Sequence, residues 1–328
     1  MRTLHHTLTA ALTLALLNGC GGGEADTSTV LSTSTTALTV ATSGTARMIS
    51  VTNKGLFPTR DLRFGATDLP AGTEVRSTCT ASLLPGASCL LVVTPGPNPS
   101  ALPGDPAPLS AVIEVAGENT NTLRVQFSVI THGSVHQGGF VFALDDTTPL
   151  TRSVGGKVLT TADLIGGSHW SPTLVAISGI NDNSVAGADS CDGALDGRCN
   201  TQRILATYPS SGRDFAAARC ADHRDGGFSD WYLPAFCELT YGTIDPTFPE
   251  QALCGTQSSP SLADNARSRL YDQGFFGTVS PLPYWSSTQR SSNPAADATA
   301  AGFNAGRHAF PKKDALTLPL RCARAITP

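Results

Sequence analysis

The amino-acid sequence predicts two folded domains in series, an all-β sandwich followed by a mixed α+β domain. The length supports two domains, because the 328 residues less an N-terminal export segment are about twice a typical domain. From 37 to 131 the chain carries short β-rich runs separated by Pro and Gly clusters, without helical periodicity. Helix-compatible stretches appear only after 134, so we expect the sandwich at 37–131 and the mixed domain at 134–328.

The N-terminus has the pattern of an export signal. The apolar run from Leu8 to Leu17 is roughly half the length of about 20 residues that a membrane span needs. The sequence Leu17-Asn18-Gly19-Cys20 resembles the lipobox of bacterial lipoproteins, in which the cysteine is lipidated and becomes N-terminal. We therefore expect residues 1–19 to be a lipoprotein signal peptide, Cys20 to carry a lipid that anchors the chain to a membrane, and 20–36 to be a flexible tether rich in Gly, Ser and Thr.

Charge and the residue after the lipidated cysteine constrain location and partners. The net charge is −4 and neither half of the chain is notably basic, which argues against a nucleic-acid partner. Gly21, rather than Asp, follows Cys20, and in an organism with two membranes this favours sorting to the outer one. The expected location is the cell envelope, as an outer-membrane lipoprotein facing either the periplasm or the exterior.

Cysteine usage predicts disulfide bonds. Nine cysteines are present, and assigning Cys20 to the lipid leaves an even set of eight in an exported chain. Spacing predicts two local loops, Cys79–Cys89 and Cys191–Cys199. Spacing leaves open the pairing of Cys220, Cys237, Cys254 and Cys322.

The clearest β-rich runs of the first domain are 47–52, 88–93 and 123–129. Together with the turn clusters at 53–55, 69–72 and 84–89, they resemble bacterial immunoglobulin-like surface modules. Such modules are mostly spacers, so the resemblance implies a spacer. An adhesive domain in its own right is the alternative, although no specific residue favours it.

The second domain has helix-compatible stretches at 212–223 and 235–241 and a series of ordered sequence blocks. These blocks are 137–145 (QGGFVFALD), 197–201 (GRCNT), 226–234 (GGFSDWYLP) with Glu238-Leu239, 284–288 (YWSST) and 320–324 (LRCAR). In this order they resemble the C-terminal-domain family typified by the Legionella collagen-like protein. The resemblance implies a fold like that of C-type lectins, and its members are typically exported surface proteins, some of which bind sulfated polysaccharides.

The resemblance also implies the remaining disulfides. It places a bridge between Cys220 and Cys322, and with it one between Cys237 and Cys254. The first would close a loop of about 100 residues, worth on the order of 4 to 5 kcal/mol in the loop-entropy model.

Aromatic and arginine side chains are the candidates for ligand contacts. Trp231 and Trp285 lie among small or aliphatic residues, which favours core packing, whereas Trp170 is less determined and remains a candidate for stacking on a sugar ring. Guanidinium groups match the oxygens of sulfate or carboxylate, although a scattered solvated surface explains the same arginines. The candidate patch consists of Arg219, Arg224, Arg321 and Arg324.

Oxygen ligands concentrate around the Cys191–Cys199 loop. Calcium prefers six to eight oxygens, and a disulfide-fixed loop would hold them at low entropic cost. The spacing matches no EF-hand loop, and solvated Asx turns explain the same residues. The candidate calcium ligands are Asp182, Asp189, Asp192 and Asp196.

Catalytic templates are missing from the sequence. It contains no His-Glu-x-x-His and no Gly-x-Ser-x-Gly, and Gly155-Gly156-Lys157 lacks the other residues of a phosphate loop. We therefore expect a non-enzymatic surface lipoprotein, an adhesin or glycan-binding protein acting through its lectin-like domain on a polysaccharide or a surface protein. The alternative is a structural envelope protein that contacts another protein. A third hypothesis is a cysteine- and copper-dependent oxidase, which related lectin-like folds include and which would need free thiols.

Overall fold

The structure is a computed structural model that describes residues 27–106, 110–209, 212–242, 254–303, 308–314 and 317–327. Within these ranges the chain is mostly β-sheet with few helices. The signal peptide expected at 1–19 and the lipidation site expected at Cys20 lie outside the described residues. The described helices include none with the length and apolar character needed to cross a bilayer.

Strands between residues 31 and 130 form two four-stranded sheets that share one apolar core. The sheets have the orders β1-β3-β6-β5 and β2-β8-β7-β4, and β2 runs parallel to β8 while the other neighbours are antiparallel. The strands are β1 (Leu31–Thr33), β2 (Ala37–Ala41), β3 (Arg47–Asn53), β4 (Arg63–Thr67), β5 (Glu74–Ser77), β6 (Ser88–Thr94), β7 (Ala111–Ala116) and β8 (Leu123–Ile130).

Alternation of apolar and polar residues explains this arrangement. Along β3 every second side chain is buried, and Ile49 and Val51 meet Phe127 of the opposite sheet in the shared core. The runs predicted at 47–52, 88–93 and 123–129 coincide with β3, β6 and β8. A period of two is a strong signal when one face of each sheet is buried.

The tether expected at 20–36 is too long at its C-terminal end. Leu31 is buried in the sandwich core, and its strand pairs with β3. Thr29 bridges to Thr120 and donates its hydroxyl to the Asn53 side-chain oxygen at 2.7 Å. The strand was not predicted because the residues around Leu31 are mostly Ser and Thr, which are typical of a tether. The Leu31 side chain nevertheless anchors this strand in the sandwich core.

The mixed part contains the remaining strands and all the described helices. Its main sheet has the order β16-β11-β10-β9. Two short two-stranded sheets, β12-β13 and β14-β15, come between β11 and β16 in the sequence. The strands are β9 (Val135–His136), β10 (Gly139–Asp145), β11 (Gly155–Thr160), β12 (Gly255–Thr256), β13 (Ser259–Pro260), β14 (Tyr284–Gln289), β15 (Ala298–Ala301) and β16 (Ala323–Ala325), and the α-helices are α1 (Gly197–Thr207), α2 (Ala216–Ala221) and α3 (Phe236–Leu239). A 3₁₀ turn at Asp225–Gly227 and a π-helical turn at Arg267–Tyr271 complete it.

The helices are only partly those expected. The stretches at 212–223 and 235–241 contain the shorter helices α2 and α3, whereas α1 was not predicted. Helix α1 begins after Asp196, whose side chain accepts a hydrogen bond from the Cys199 backbone N–H at 2.9 Å. An N-cap aspartate is a sequence signal for a helix start, but the weakly amphipathic residues after it concealed the helix.

Four disulfides link the eight described cysteines, in the same pairs that spacing and the family resemblance imply. Cys79–Cys89, Cys191–Cys199 and Cys237–Cys254 close loops of 10, 8 and 17 residues. Cys220–Cys322 spans 102 residues and joins α2 to the residue before β16. This long bridge therefore ties the centre of the mixed part to its C-terminal strand.

The sandwich and the mixed part are joined by hydrogen bonds as well as by the chain. In β2, Thr39 accepts from the Val154 backbone N–H at 2.9 Å, and its own N–H donates to the Ser153 hydroxyl at 2.9 Å. Arg47, fully buried at the start of β3, forms an ion pair with Asp146 at 2.7 Å. These contacts fix the relative position of two β-rich units and shape the space between them.

Candidate functional site

A cleft of about 420 Å³ opens where the sandwich meets the mixed part. Its floor is the outer face of the sheet that contains β2 and β8. These strands are parallel, so Ala37 lies beside Gln126 and Thr39 beside Ser128. Successive side chains in a strand point to opposite faces, and Phe127 between them is fully buried in the core. The floor therefore consists of small or polar outward-facing side chains.

The opposite wall is the hairpin between β9 and β10. His136 pairs with Gly139, and the two turn residues Gln137 and Gly138 have φ angles of 45° and 86°. Two positive φ values are what a type I′ turn requires, and this turn type suits a two-residue hairpin. A side chain at position 138 would also clash with its surroundings, because a Cβ on Gly138 would lie 2.8 Å from the Asp225 carbonyl oxygen.

The lining of the cleft is polar and bears no formal charge at neutral pH. Among the described lining residues His136 is the one titratable group; burial, and after it the charge of Arg324, lowers its pKa to about 4. The His136 Nε2 atom is buried without a hydrogen-bond partner. Hydroxyls come from Thr35, Thr36, Thr39, Ser100, Ser110, Ser128, Ser134, Ser153 and Thr327, and amides from Gln126 and Gln137.

Sequence reasoning did not find this cleft. The period of β8 places Gln126 and Ser128 on the outside of the sandwich, which was readable from the sequence. They line a cleft only together with the hairpin at 135–140, which lies opposite them in the folded chain. Because the residues that line the cleft are far apart in the sequence, no local sequence pattern predicted that they would meet.

Arg324, an expected ligand-binding residue, is instead an internal brace. It is 1% exposed, and its guanidinium contacts Asp230 at 2.7 Å, Gln137 Oε1 at 2.6 Å and the face of Phe228 at 3.7 Å. Burial opposes ionisation of Asp230, but hydrogen bonds from Arg324 and Arg198 lower the pKa of its carboxyl overall. The bonds of Arg324 hold the cleft-lining turn in place, so it supports the site without being open to a ligand.

Arg321 is buried in the same way. Its guanidinium donates to Asp163 at 2.6 Å, to the Thr160 carbonyl at 2.7 Å and to the Thr278 carbonyl at 2.9 Å, and it stacks over Phe276. A buried charge needs such partners, and these occupy three of its five N–H groups. Arg321 therefore belongs to the interior rather than to an anion-binding surface.

The other two candidate arginines do not complete a patch. Arg219 donates to the Ile165 carbonyl and lies 4.0 Å from Asp214 in a shallow groove, so an acidic group shares its surroundings. Arg224 is exposed and donates to the Ala221 and His223 carbonyls. The expectation of one sulfate-binding patch from these four arginines is wrong, because two are buried and the other two donate to backbone carbonyls.

Trp170 is not a platform for a sugar ring. It is fully buried, and its indole N–H donates to the Ser286 carbonyl at 2.7 Å. The Lys313 ammonium lies 4.4 Å from the ring centroid and also donates to the Val175 and Pro294 carbonyls and to a glutamine side chain. Trp231 and Trp285 are buried as expected from their sequence surroundings. The expected ligand role of Trp170 is therefore replaced by a cation–π pair in the core.

The four candidate calcium ligands do not converge. Asp182 is buried and accepts the Ser291 backbone N–H at 2.8 Å, Asp196 caps α1, and Asp189 is exposed. In the described ranges no group of three or more His, Cys, Asp or Glu side chains is placed to hold a metal ion. Calcium binding by Asp182, Asp189, Asp192 and Asp196 thus gains no support from their placement, since Asp182 and Asp196 each accept a hydrogen bond from a backbone N–H.

Comparisons with known proteins give only remote similarities. No protein-family model matches the chain, and no curated protein matches it. Domains 4 and 5 of the S-layer protein SbsC are 13% identical, with a TM-score of 0.21 over 31% of this chain and 51% of that one. A longer SbsC structure is 16% identical, with a TM-score of 0.24 over 47% of this chain and 20% of that one. A fimbrial protein from Bacteroides ovatus ATCC 8483 is 12% identical, with a TM-score of 0.36 over 91% of this chain and 70% of that one.

The chain spans about half or less of the SbsC structures that it matches. All these scores are too low to support an argument about function. The class of molecule is defined by its own features: a disulfide-bonded, β-rich chain of two joined units with a polar cleft between them.

Proposed function

We propose that the chain is a non-enzymatic surface lipoprotein that binds a neutral saccharide in the junction cleft. The observation that carries the proposal is the lining, in which hydroxyls and two amides surround a histidine whose low pKa keeps it uncharged at neutral pH. Sugar hydroxyls both donate and accept hydrogen bonds, so a surface of uncharged donors and acceptors complements them. The volume falls within the range of roughly 300–1,000 Å³ that is usual for small-molecule clefts.

The proposed ligand differs from the sulfated polysaccharide that the family resemblance implies. An anionic sugar would need unpaired cations, and the buried Arg321 and Arg324 already bond to carboxylates and carbonyls. Transfer of a sulfate into a cleft without a formal positive charge would cost hydration free energy, and no ion pair would offset that cost. A neutral glycan avoids this cost.

The proposal gives each unit a role. The sandwich is an immunoglobulin-like spacer that also supplies the cleft floor, and the mixed part is a C-type-lectin-like domain that supplies the wall. A lipid on Cys20 anchors the chain to the outer membrane. Four disulfides, one spanning 102 residues, suit the oxidising envelope in which such a chain would act.

A glycan array with the folded chain tests the ligand class, and calorimetry with the strongest neutral glycan gives its affinity. We expect Gln126→Trp to fill the cleft and weaken binding at least tenfold. Arg124→Trp is the matched control, because Arg124 is an exposed residue two positions away on the same face of β8 and does not line the cleft.

Three outcomes contradict the proposal. One is binding restricted to sulfated or acidic glycans, and another is equal affinity of the Gln126→Trp chain and the native chain. The third is silence on the array together with a co-purifying envelope protein, which would favour the structural alternative. Circular dichroism of both variants establishes that they are folded.

A further inference from the structure

Exposed apolar side chains lie at the end of the sandwich where β3 finishes at Asn53, and the other end of β3 is where Arg47 meets Asp146 of the mixed part. Leu56 and Leu84 are 85% and 63% exposed, and Val30 and Phe57 are also exposed. Apolar residues scattered singly over a surface are ordinary, but a group of them marks an interaction site. We call these four residues the apolar pole.

Contacts around the buried Asn53 show that the three loops of the apolar pole meet. The Asn53 side-chain N–H₂ donates to the Phe57 and Leu83 carbonyls at 2.8 and 2.9 Å. The Lys54 backbone N–H donates to the Val30 carbonyl at 2.7 Å. The segment at 29–30, the loop at 54–57 and the turn at 83–86 are therefore held together as one surface.

The N-terminal side of the chain enters the sandwich at this pole. The Thr29 backbone N–H donates to the Asn119 carbonyl at 2.8 Å, and Asn119 in turn donates from its side chain to the Thr27 carbonyl at 2.8 Å. Thr27 lies seven positions after Cys20 in the sequence. An extended chain of that length reaches about 25 Å at most, so a lipid on Cys20 keeps this end near its bilayer.

We infer that the apolar pole docks on the lipid bilayer that anchors the chain. This inference rests on the lipid anchor of the proposed function. Burial of apolar side chains in the interfacial layer is favourable, and exposed Lys54 beside them suits anionic headgroups. The eight-residue strand β8 then spaces the mixed part about 27 Å from the pole, so the β9–β10 hairpin that forms the cleft wall is held away from the membrane.

The test uses the lipidated full-length chain, reconstituted in phosphatidylcholine–phosphatidylglycerol vesicles with or without brominated acyl chains. A Leu56→Trp reporter should shift to the blue and be quenched at least twofold by the brominated lipid. The native tryptophans are buried in the mixed part and give a background that bromine should not quench. Leu102→Trp is the matched control, since Leu102 is 69% exposed in a loop next to the mixed part.

Adding Leu84→Ser to the reporter chain should reduce the quenching, whereas adding Leu102→Ser should not. A reporter that remains unquenched on chains retained by the vesicles overturns the inference while leaving the anchor intact. A blue shift without quenching that grows with protein density means that a second copy covers the pole, and this also overturns it. Loss of all chains from the vesicles would refute the lipid anchor itself.

Discussion

Removing the Cys220–Cys322 bridge tests how the mixed part is stabilised. In the chain-entropy model a closed loop of 102 residues contributes about 4.7 kcal/mol at 25 °C, and a loop of 8 residues about 2.5 kcal/mol. The double variant Cys220→Ala/Cys322→Ala should therefore lose about 2 kcal/mol more than Cys191→Ala/Cys199→Ala. Both bridges lie in the mixed part, so the second variant is a control in the same unit.

Guanidinium unfolding followed by tryptophan fluorescence measures the difference. All three tryptophans lie in the mixed part, so intrinsic fluorescence reports the unfolding of that unit. With a denaturant dependence of roughly 4 kcal/mol per molar, the midpoints should fall by about 1.2 M and 0.6 M. Equal shifts, or a larger shift for the short loop, would refute the loop-entropy reasoning.

Three further perturbations address buried polar groups. Glu238→Gln should lower the free energy of unfolding by about 2 kcal/mol, because each carboxylate oxygen accepts two hydrogen bonds and an amide N–H₂ in place of either oxygen would face two donors; an unchanged melting temperature would contradict this role. Arg324→Met should cost about 3 kcal/mol by leaving Asp230 without its main partner, with urea unfolding as the measurement and full retention of stability as the contrary result. Burial lowers the pKa of His136 and His308 from 6.5 to about 4, so the unfolded chain binds these protons first as pH falls. Stability should therefore drop between pH 6.5 and 4, by about 2 kcal/mol per histidine at pH 5; a flat profile in urea unfolding would argue against burial of the neutral rings.

The sequence predicted the sandwich well because its signal is local. A period of two in 123–129 and a buried Phe127 follow from one strand packing on one core. The mixed part was less predictable, since α1 has weak amphipathicity and its start depends on a single capping residue, Asp196. Asp196 was assigned to a calcium site because side-chain oxygens serve both purposes, and composition alone does not distinguish them.

The candidate site was not predictable from local patterns. Arg321 and Arg324 looked like surface cations, because a sequence does not reveal that Asp163 and Asp230 will meet them across long separations. The cleft joins positions near 39, 128 and 136, which are unremarkable Thr, Ser and His residues in isolation. Contacts between residues far apart in the sequence, rather than the residue types themselves, create both the buried arginine–aspartate pairs and the cleft.

The segment that connects the sandwich to the mixed part, residues 130–134, which we call the crossing, also affects where proteases would cleave the chain. Linkers between domains are usually exposed and are the usual points of cleavage. At this crossing Ile130 is 4% exposed, the Gly133 N–H donates to the Val141 carbonyl, and Ser134 is 4% exposed and bonds to Thr131. Limited digestion should therefore leave the crossing uncut, and cleavage on the N-terminal side of Thr27 would release the sandwich and the mixed part as a single fragment.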